Sequence, residues 1–284
     1  MRAVNSRAGF FFVKWLLRPS GLFLCYAVEQ RFADYFVSRS RQSKIRWSPY
    51  LVGVIRQGGA ISLNFAIASS EQDFRDQTAK AHLASTVTAM SRHATYFGAK
   101  QVSYAGILPT VLRANRLLRG DSGAETTCRA IGQAIRDIVR QPRSKTFAYL
   151  VVLGGRGRIG RQLIRHLSNP DAGICMMLPS ICVIDKGDDV PANHPILLIN
   201  CALPGAIEEH AASIPSHSVV LNEVYPAPNR QTIDTLTRRH VKLFHVSGVR
   251  GSAWPTFPGE YRGAIPCCAA LADQDLRVIV TALN

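Results

Sequence analysis

The sequence predicts an α/β protein, with a doubly wound parallel sheet in its C-terminal part and a second α/β domain in its N-terminal part. Short apolar runs rich in β-branched residues alternate with stretches of helical periodicity, which is typical of this class. The 284 residues suffice for two domains of about 140 residues each. Hydrophobic residues make up 47% of the chain and charged residues 19%, so a folded protein is expected rather than a disordered one.

A glycine cluster joins the apolar run at 147–153 to a segment in which Ile159, Leu163, Ile164 and Leu167 share one helical face. The spacing Gly155-x-Gly157-x-x-Gly160 in this strand-to-helix context predicts a Rossmann fold that binds the pyrophosphate of NAD or NADP. Gly155 is expected to permit the turn, Gly157 to let the backbone approach the pyrophosphate, and Gly160 to let the helix pack on the strand. A glycine-rich surface turn is the alternative. The predicted cofactor residues of the turn are Gly155, Arg156, Gly157, Arg158, Ile159 and Gly160.

The identity of the cofactor depends on the end of the next predicted strand. Asp185 ends the apolar run at 180–185, where an acidic residue accepts hydrogen bonds from an adenine ribose, and this favours NAD. Lys186, with Arg156 and Arg158 of the turn, favours NADP instead because these side chains can hold a 2′-phosphate. The sequence leans towards NAD, and an ordinary surface carboxylate at Asp185 is the alternative.

Further strands and helices are predicted on both sides of the glycine turn. After it, strands are expected at 180–185, 195–200, 218–221 and 241–246, and helices at 207–212 and 232–239. Residues 186–194 are too few for a crossover helix with its loops. Before it, we expect two strands around Gly58-Gly59 within 50–68, a helix at 72–97, a strand at 101–107, a helix at 124–140 and a linker at 141–145. The predicted domains are therefore 1–140 and 141–284.

The net charge of +15 predicts attraction to nucleic acid, to an anionic membrane or to a polyanionic substrate or carrier. Residues 1–46 hold nine basic and two acidic side chains. The apolar stretch at 9–28 is interrupted by Lys14, Arg18 and Pro19, so it fits neither a spanning helix nor a signal peptide. It is interpreted as the first buried elements of the N-terminal domain or, alternatively, as an interfacial segment that meets anionic lipid. Nucleic acid is not expected as a partner, because no binding motif accompanies the charge.

The seven cysteines are scattered, and no pair has CxxC spacing. This pattern predicts reduced thiols in a cytoplasmic protein, with peripheral membrane association left open, and no metal site or disulfide framework. Cys268 is the most reactive-looking of them, because residues 268–271 could begin a helix that lowers the thiol pKa. A buried, inert cysteine is the alternative.

Three turns follow predicted strands and are expected to line one crevice at the carboxyl ends of the sheet. They are Asn200 to Gly205, Asn222 to Pro226, and Ser247-Gly248. Asn200 and Gly248 are therefore included among the predicted cofactor residues. Each turn is alternatively explained as a tight Pro/Gly connection.

Several segments are similar to a known family. The C-terminal half resembles the long-chain acyl-carrier-protein reductases, Rossmann enzymes related to shikimate dehydrogenase-like proteins that reduce an acyl thioester to an aldehyde with NAD(P)H. The similar segments, in order, are YFGAKQVSYAGILPTVL, AETTCRAI, VLGGRGRIG, NCALPGAI, LNEVYPAPN and PCCAAL, and the similarity covers roughly residues 48–272. The resemblance implies that Cys268 is the acyl nucleophile, that Gly155, Gly157 and Gly160 hold the cofactor, and that Thr126 and Thr127 face the cleft.

The expected function is therefore NAD(P)-dependent reduction of a small or carrier-bound acyl thioester through Cys268. A first alternative is hydride exchange with a small keto, imino or enol substrate without a covalent step, with Tyr225, His245 or Lys100 as proton donor. A second alternative is a non-catalytic nucleotide-sensing or membrane-associated binding protein. A homo-oligomer is left open by the sequence.

Overall fold

The computed structural model describes residues 5–27, 34, 38–76, 78–120, 122–140, 147–169, 180–191, 193–257, 261 and 263–284. The chain divides into two compact units, each with a sheet and helices, so the expected mixed α/β class is confirmed. The first unit comprises Met1–Thr126 and Arg250–Leu276, and the second comprises Thr127–Val249 and Arg277–Asn284. The predicted linker at 141–145 lies outside the described residues.

The first unit is built on a five-stranded sheet with the order β10-β2-β3-β1-β4. Its strands are β1 (Gly21–Tyr26), β2 (Tyr50–Gln57), β3 (Ala60–Ile67), β4 (Gln101–Tyr104) and β10 (Ser252–Trp254), and the short β11 (Ala264–Ile265) also lies in this unit. Its helices are α1 (Arg7–Leu17), α2 (Arg39–Gln42), α3 (Ala79–Phe97) and α4 (Leu108–Ala114), and α5 (Ser122–Val139) begins in it. Strand β1 runs parallel to β3 and β4, whereas β2 is antiparallel to β3 and β10 to β2.

Strand β1 lies in the interior of this sheet, and its apolar sequence is explained by burial on both faces. Leu22, Phe23 and Leu24 are all at most 1% exposed. The expected two strands around Gly58-Gly59 form an antiparallel hairpin, in which Gly58 adopts a φ of +56° that a side chain rarely permits. The interpretation of residues 9–28 as buried elements therefore holds for β1. It does not hold for α1, whose outer face is exposed.

The second unit contains six strands in one sheet, all but one of them parallel. The strands are β5 (Tyr149–Leu153), β6 (Ser180–Ile184), β7 (Ile196–Asn200), β8 (Val219–Asn222), β9 (Lys242–Arg250) and β12 (Val278–Ala282). The helices are α6 (Arg158–Leu167), α7 (Ala206–His210) and α8 (Arg230–Arg238), with most of α5. The parallel order is β6-β5-β7-β8-β9, and β12 pairs antiparallel with β9.

Strand β5 is the point at which the strand order reverses, because β6 pairs on one side of it and β7 on the other. The described residues between β6 and β7 contain no helix, which agrees with the short connection noted in the sequence. In open parallel sheets, the crevice for a ligand lies at such a reversal, beyond the carboxyl ends of the strands. The glycine cluster follows β5 at that end.

The predicted division lies at residue 140, whereas the first unit ends at Thr126 and the chain returns to it at Arg250. Ser252–Trp254 pairs with β2. Further on, Gln101 Nε2 donates to Ala270 O at 2.8 Å, and Leu271 N donates to Gln57 Oε1 at 2.8 Å. These contacts join residues more than 160 positions apart, so local sequence patterns do not predict them. The segment with Cys268 consequently belongs to the first unit, not to the sheet that carries the glycine turn.

Several predicted elements change their limits. The helix expected at 72–97 begins only at Ala79, after a 3₁₀ turn at Asp73–Arg75, and the strand expected at 101–107 ends at Tyr104. The following residues form α4, in which Pro109 occupies the first turn, where the missing N–H carries no cost. Among the described residues, no helix combines the length and the hydropathy needed to cross a bilayer.

Candidate functional site

The strand, turn and helix predicted around the glycine cluster are present in the second unit. Strand β5 is buried from Leu150 to Leu153. The turn is fixed to the neighbouring strands by backbone hydrogen bonds: Gly154 N donates to Ile184 O at 2.9 Å, and Cys201 N donates to Leu153 O at 2.9 Å. Helix α6 then begins at Arg158, directly after the turn.

The glycines are required by close backbone contacts. A Cβ at Gly160 would lie 2.6 Å from Gly155 Cα and 2.9 Å from the carbonyl carbon of Gly154, closer than real Cβ atoms approach. A Cβ at Gly154 would lie 2.6 Å from Ala202 Cα, and Gly154 also has a φ of +83°. The packing expected at Gly160 is thus present. The left-handed turn residue, however, is Gly154 rather than Gly155.

The N-terminus of α6 has no side chain to cap it. Its cap residue is Gly157, and the first N–H groups of any helix have no partner within the helix. A Cβ at Gly157 would lie 3.0 Å from Gly154 O, so the turn is tight here as well. Backbone N–H groups and the positive end of the helix dipole together favour an anion at this position.

Asp185 follows β6 and presents an unused acceptor. Its Oδ2 is buried and accepts no hydrogen bond from any part of the chain that the structure describes, although Arg156 Nε lies 3.4 Å away. Asp188 supports this arrangement, since its Oδ2 accepts a hydrogen bond from Asp185 N at 2.9 Å and lies 3.4 Å from Arg156 Nη2. Lys186 Nζ is paired with Glu209 Oε1 at 2.8 Å. Two cations predicted as a 2′-phosphate site, Arg156 and Lys186, therefore face carboxylates.

A chain of hydrogen bonds links the carboxyl ends of β7 and β8 to β9. Asn200, Asn222 and His245 are in register across the three strands and are at most 3% exposed. Asn200 Nδ2 donates to Asn222 Oδ1 at 2.7 Å, and Asn222 Nδ2 lies 3.0 Å from His245 Nδ1. In this arrangement Asn222 is the donor to His245 Nδ1, so the proton of the neutral ring lies on Nε2.

Glu223 is a titratable group in this region that the sequence identified only as part of a turn. Its backbone N donates to Asn200 O at 3.1 Å. Burial raises the pKa of the Glu223 carboxyl to about 7, and the charge of Arg158 opposes this rise. Burial, with the charges of Glu223 and Cys128, holds the pKa of the Cys201 thiol well above its usual range. The Cys201 side chain is therefore a neutral thiol at physiological pH.

Cys268 lies in a different local structure from the one expected. The helix predicted to begin there is a single 3₁₀ turn, Cys267–Ala269, too short to present the dipole of an α-helix to the thiol. Thr126 Oγ1 donates to Cys267 O at 2.8 Å, and both Thr126 and Thr127 are buried. Cys268 itself is half-buried.

The remaining predicted residues are distributed over both units. Tyr225 is half-buried in the loop after β8, in the second unit, whereas Lys100 immediately precedes β4 of the first unit. Ser247 and Gly248 do not form a turn after a strand, because β9 continues to Arg250 through an irregularity at which Gly248 has a φ of +122°. In the described part of the chain, no three His, Cys, Asp or Glu side chains form a group that could hold a metal ion.

Comparisons with known proteins give likenesses to solved structures only. No protein-family model matches the chain, and no curated protein matches it. A solved structure of Rp1789 from Rhodopseudomonas palustris (strain CGA009) is similar with a TM-score of 0.35 and 9% sequence identity, covering 80% of this chain and 67% of the other. At this level of similarity the neighbour carries no argument about function.

Replacing Gly160 by alanine is expected to destabilise the second unit, because the new Cβ meets the backbone of Gly154 and Gly155. Overpacking of this kind costs about 1–3 kcal/mol. Gly59→Ala is a matched control, since a Cβ at Gly59 would meet no atom within 4 Å. Urea unfolding should show a lower free energy of unfolding for Gly160→Ala only. Equal values for the two variants would contradict the close contact.

Glu223→Gln is expected to change the pH dependence of stability. The folded carboxyl has a pKa of about 7, above an unfolded value of about 4.3, so its favourable contribution is greatest at low pH and is lost as pH rises through 7. Between pH 5 and pH 8 the wild type should lose about 2 kcal/mol relative to the variant. Urea unfolding at several pH values measures this difference. Glu125→Gln is the control, because Glu125 is exposed. If the difference in free energy of unfolding between wild type and Glu223→Gln is as independent of pH as that between wild type and Glu125→Gln, the prediction is wrong.

Proposed function

We propose that the protein is a pyridine-nucleotide-dependent oxidoreductase whose second unit holds the cofactor. The observation that carries the proposal is the turn at 154–160, where tightly packed glycines bring a strand into the uncapped N-terminus of α6 at the reversal of the strand order. This combination provides backbone N–H groups for a pyrophosphate without a side chain in the way.

The charges around Asp185 favour NAD over NADP as the cofactor. A ribose with a free 2′-hydroxyl can donate to the buried, unused Oδ2 of Asp185. A 2′-phosphate would instead meet two carboxylates, Asp185 and Asp188, each of which already lies 3.4 Å from a nitrogen of Arg156. Electrostatic repulsion therefore disfavours NADP at this position.

The cofactor, when bound, supplies hydride to an electrophilic carbon of the substrate. The residues proposed to surround the reaction are those at the carboxyl ends of β7 and β8 and on β9. Asn222, itself held by Asn200, donates to His245 Nδ1, and the Nε2–H of the ring would donate a hydrogen bond to the substrate atom that gains negative charge during hydride transfer. Glu223, with its raised pKa, holds a proton near neutral pH in the same unit.

An acyl thioester is the first candidate substrate, on the strength of the cysteine motif. Cys268 would attack the thioester carbonyl, and the bond to the carrier sulfur would break, with the proton of Cys268 leaving on that sulfur. Hydride would then convert the acyl-cysteine to an aldehyde and release the Cys268 thiolate. The hydrogen bond from Thr126 Oγ1 to Cys267 O holds the turn that carries the half-buried Cys268.

A non-covalent reduction of a small keto, imino or enol substrate is the second candidate. It is favoured by a specific observation, namely that His245, its partner Asn222 and the partner of Asn222, Asn200, belong to the same unit as the glycine turn. Hydride delivery to the electrophilic carbon, with a hydrogen bond from His245 to the adjacent oxygen or nitrogen and the proton supplied by Glu223 or by solvent, would complete such a reaction without Cys268.

Cofactor binding should be tested by titrating NADH and NADPH against intrinsic fluorescence. NADH is expected to bind more tightly, and Asp185→Asn should weaken NADH binding by about tenfold, since a hydrogen bond to a charged group contributes about 1.5 kcal/mol or more. Asp189→Asn is the control, because Asp189 is an exposed carboxylate in the same loop. If neither nucleotide binds, the proposed oxidoreductase function is wrong.

The substrate class should be tested by incubating the protein with an acyl thioester and measuring its intact mass. If Cys268 is the nucleophile, the wild type and Cys182→Ser gain one acyl group, and Cys268→Ser gains none and no longer consumes NADH. Cys182 is the control because it is a half-buried cysteine of β6. Absence of an adduct, with ketone reduction that is lost in His245→Gln, supports the non-covalent reaction instead.

A further inference from the structure

Helix α1 has one buried face and one strongly apolar face that is exposed. Phe10 packs against Phe65 and Phe97, with ring centroids 6.5 and 5.4 Å apart, and Val13 is buried. The opposite face carries four large apolar side chains that are between 57% and 68% exposed, Phe11, Phe12, Trp15 and Leu16. At 100° per residue these four span about 140° of the helix surface. They therefore form one continuous stripe, here called the apolar stripe.

Both ends of α1 are fixed to the first unit, so the apolar stripe is part of the folded surface. At the N-terminal end, Asn5 Nδ2 donates to Leu51 O and Leu51 N donates to Asn5 Oδ1, each at 2.9 Å. At the C-terminal end, Ser20 N donates to Ile61 O at 2.7 Å. The Ser6 side chain caps the helix by accepting a hydrogen bond from Gly9 N.

Basic side chains lie along one edge of the apolar stripe. Arg7, Lys14 and Arg18 are all exposed, and no acidic residue occurs between positions 7 and 26. Lys14 Nζ lies 5.0 Å from the ring centroid of Tyr96, on the neighbouring helix α3. An open cavity of about 460 Å³ lies beside this edge, with Phe11 and Trp15 among its apolar lining residues and Lys14 and Arg18 as its cations.

We infer that α1 is a membrane-docking helix that lies in the surface of a bilayer containing anionic lipid. The apolar stripe enters the acyl boundary with Trp15 at the interface, where aromatic side chains are favoured. Arg7, Lys14 and Arg18 meet the anionic headgroups, and the cavity beside Lys14 and Arg18 accepts a lipid phosphate. The net charge of +15 attracts the protein to such a surface from a distance.

Charge complementarity favours a membrane over a second copy of this chain. In an isologous dimer the basic edge would meet the same patch on the partner copy, which carries no acidic residue between positions 7 and 26. An anionic lipid surface neutralises the cations and buries the apolar stripe at once. A membrane therefore accounts for both the apolar stripe and the basic edge of α1.

Sedimentation of the full chain with lipid vesicles tests this inference. The wild type should sediment with vesicles of phosphatidylcholine mixed with phosphatidylserine, much less with phosphatidylcholine alone, and less at high salt. The double variant Phe12→Ser/Trp15→Ser should reduce the partition coefficient by at least about tenfold. Lys14→Glu should weaken binding to the anionic vesicles specifically.

Matched controls separate docking from general effects. Trp254→Ser removes a tryptophan that is 76% exposed in β10, and Lys80→Glu reverses a charge about 24 Å from Tyr96 along α3. Both should bind like the wild type, and the melting temperature of each variant reports on folding. Equal binding by the stripe variants and the controls overturns the inference. So does a failure to bind either vesicle, or a dimer in light scattering that the double variant abolishes.

Discussion

The contact between the start of α6 and the end of β5 is the constraint on which the candidate site depends. Gly160 packs against the backbone of Gly154 and Gly155 at a distance that excludes a Cβ. Because the helix can approach the strand so closely, its N-terminus lies directly beyond the carboxyl end of β5. The N–H groups of its first turn are thus brought to the place where the order of the strands reverses, which is where a parallel sheet accommodates a ligand.

Buried polar atoms lie at the carboxyl ends of the strands on both sides of this contact. On one side, the buried Oδ2 of Asp185 remains an unused acceptor, and Asp188 holds the loop by accepting a hydrogen bond from Asp185 N. On the other side, Asn200 and Asn222 use their amides to orient His245. Buried polar groups are costly unless they are hydrogen-bonded, so the proposal of a ribose hydroxyl rests on a carboxylate oxygen that has an ion-pair partner but accepts no hydrogen bond within the described chain.

The first unit contributes a different kind of feature. Its sheet takes up the segment after Arg250 through β10 and through the side chains of Gln57 and Gln101. The cysteine turn is held there, while α1 displays apolar side chains that the core of the unit does not use. A catalytic hypothesis and a membrane hypothesis therefore rest on separate structural observations and can fail independently.

The amino-acid sequence by itself determined the α/β class, the hairpin at Gly58 and the strand, glycine turn and helix at 149–167, because each follows from a local pattern of hydrophobicity and backbone freedom. It also indicated Asp185 and the loop that contains Glu223. Only the tertiary structure decided that residues 250–276 belong to the first unit, that Gly154 is the left-handed residue, and that Asn200, Asn222 and His245 are hydrogen-bonded. The burial that raises the pKa of Glu223 was likewise decided by the tertiary structure. All these features depend on contacts between residues that are distant in the chain, and local sequence patterns do not predict such contacts.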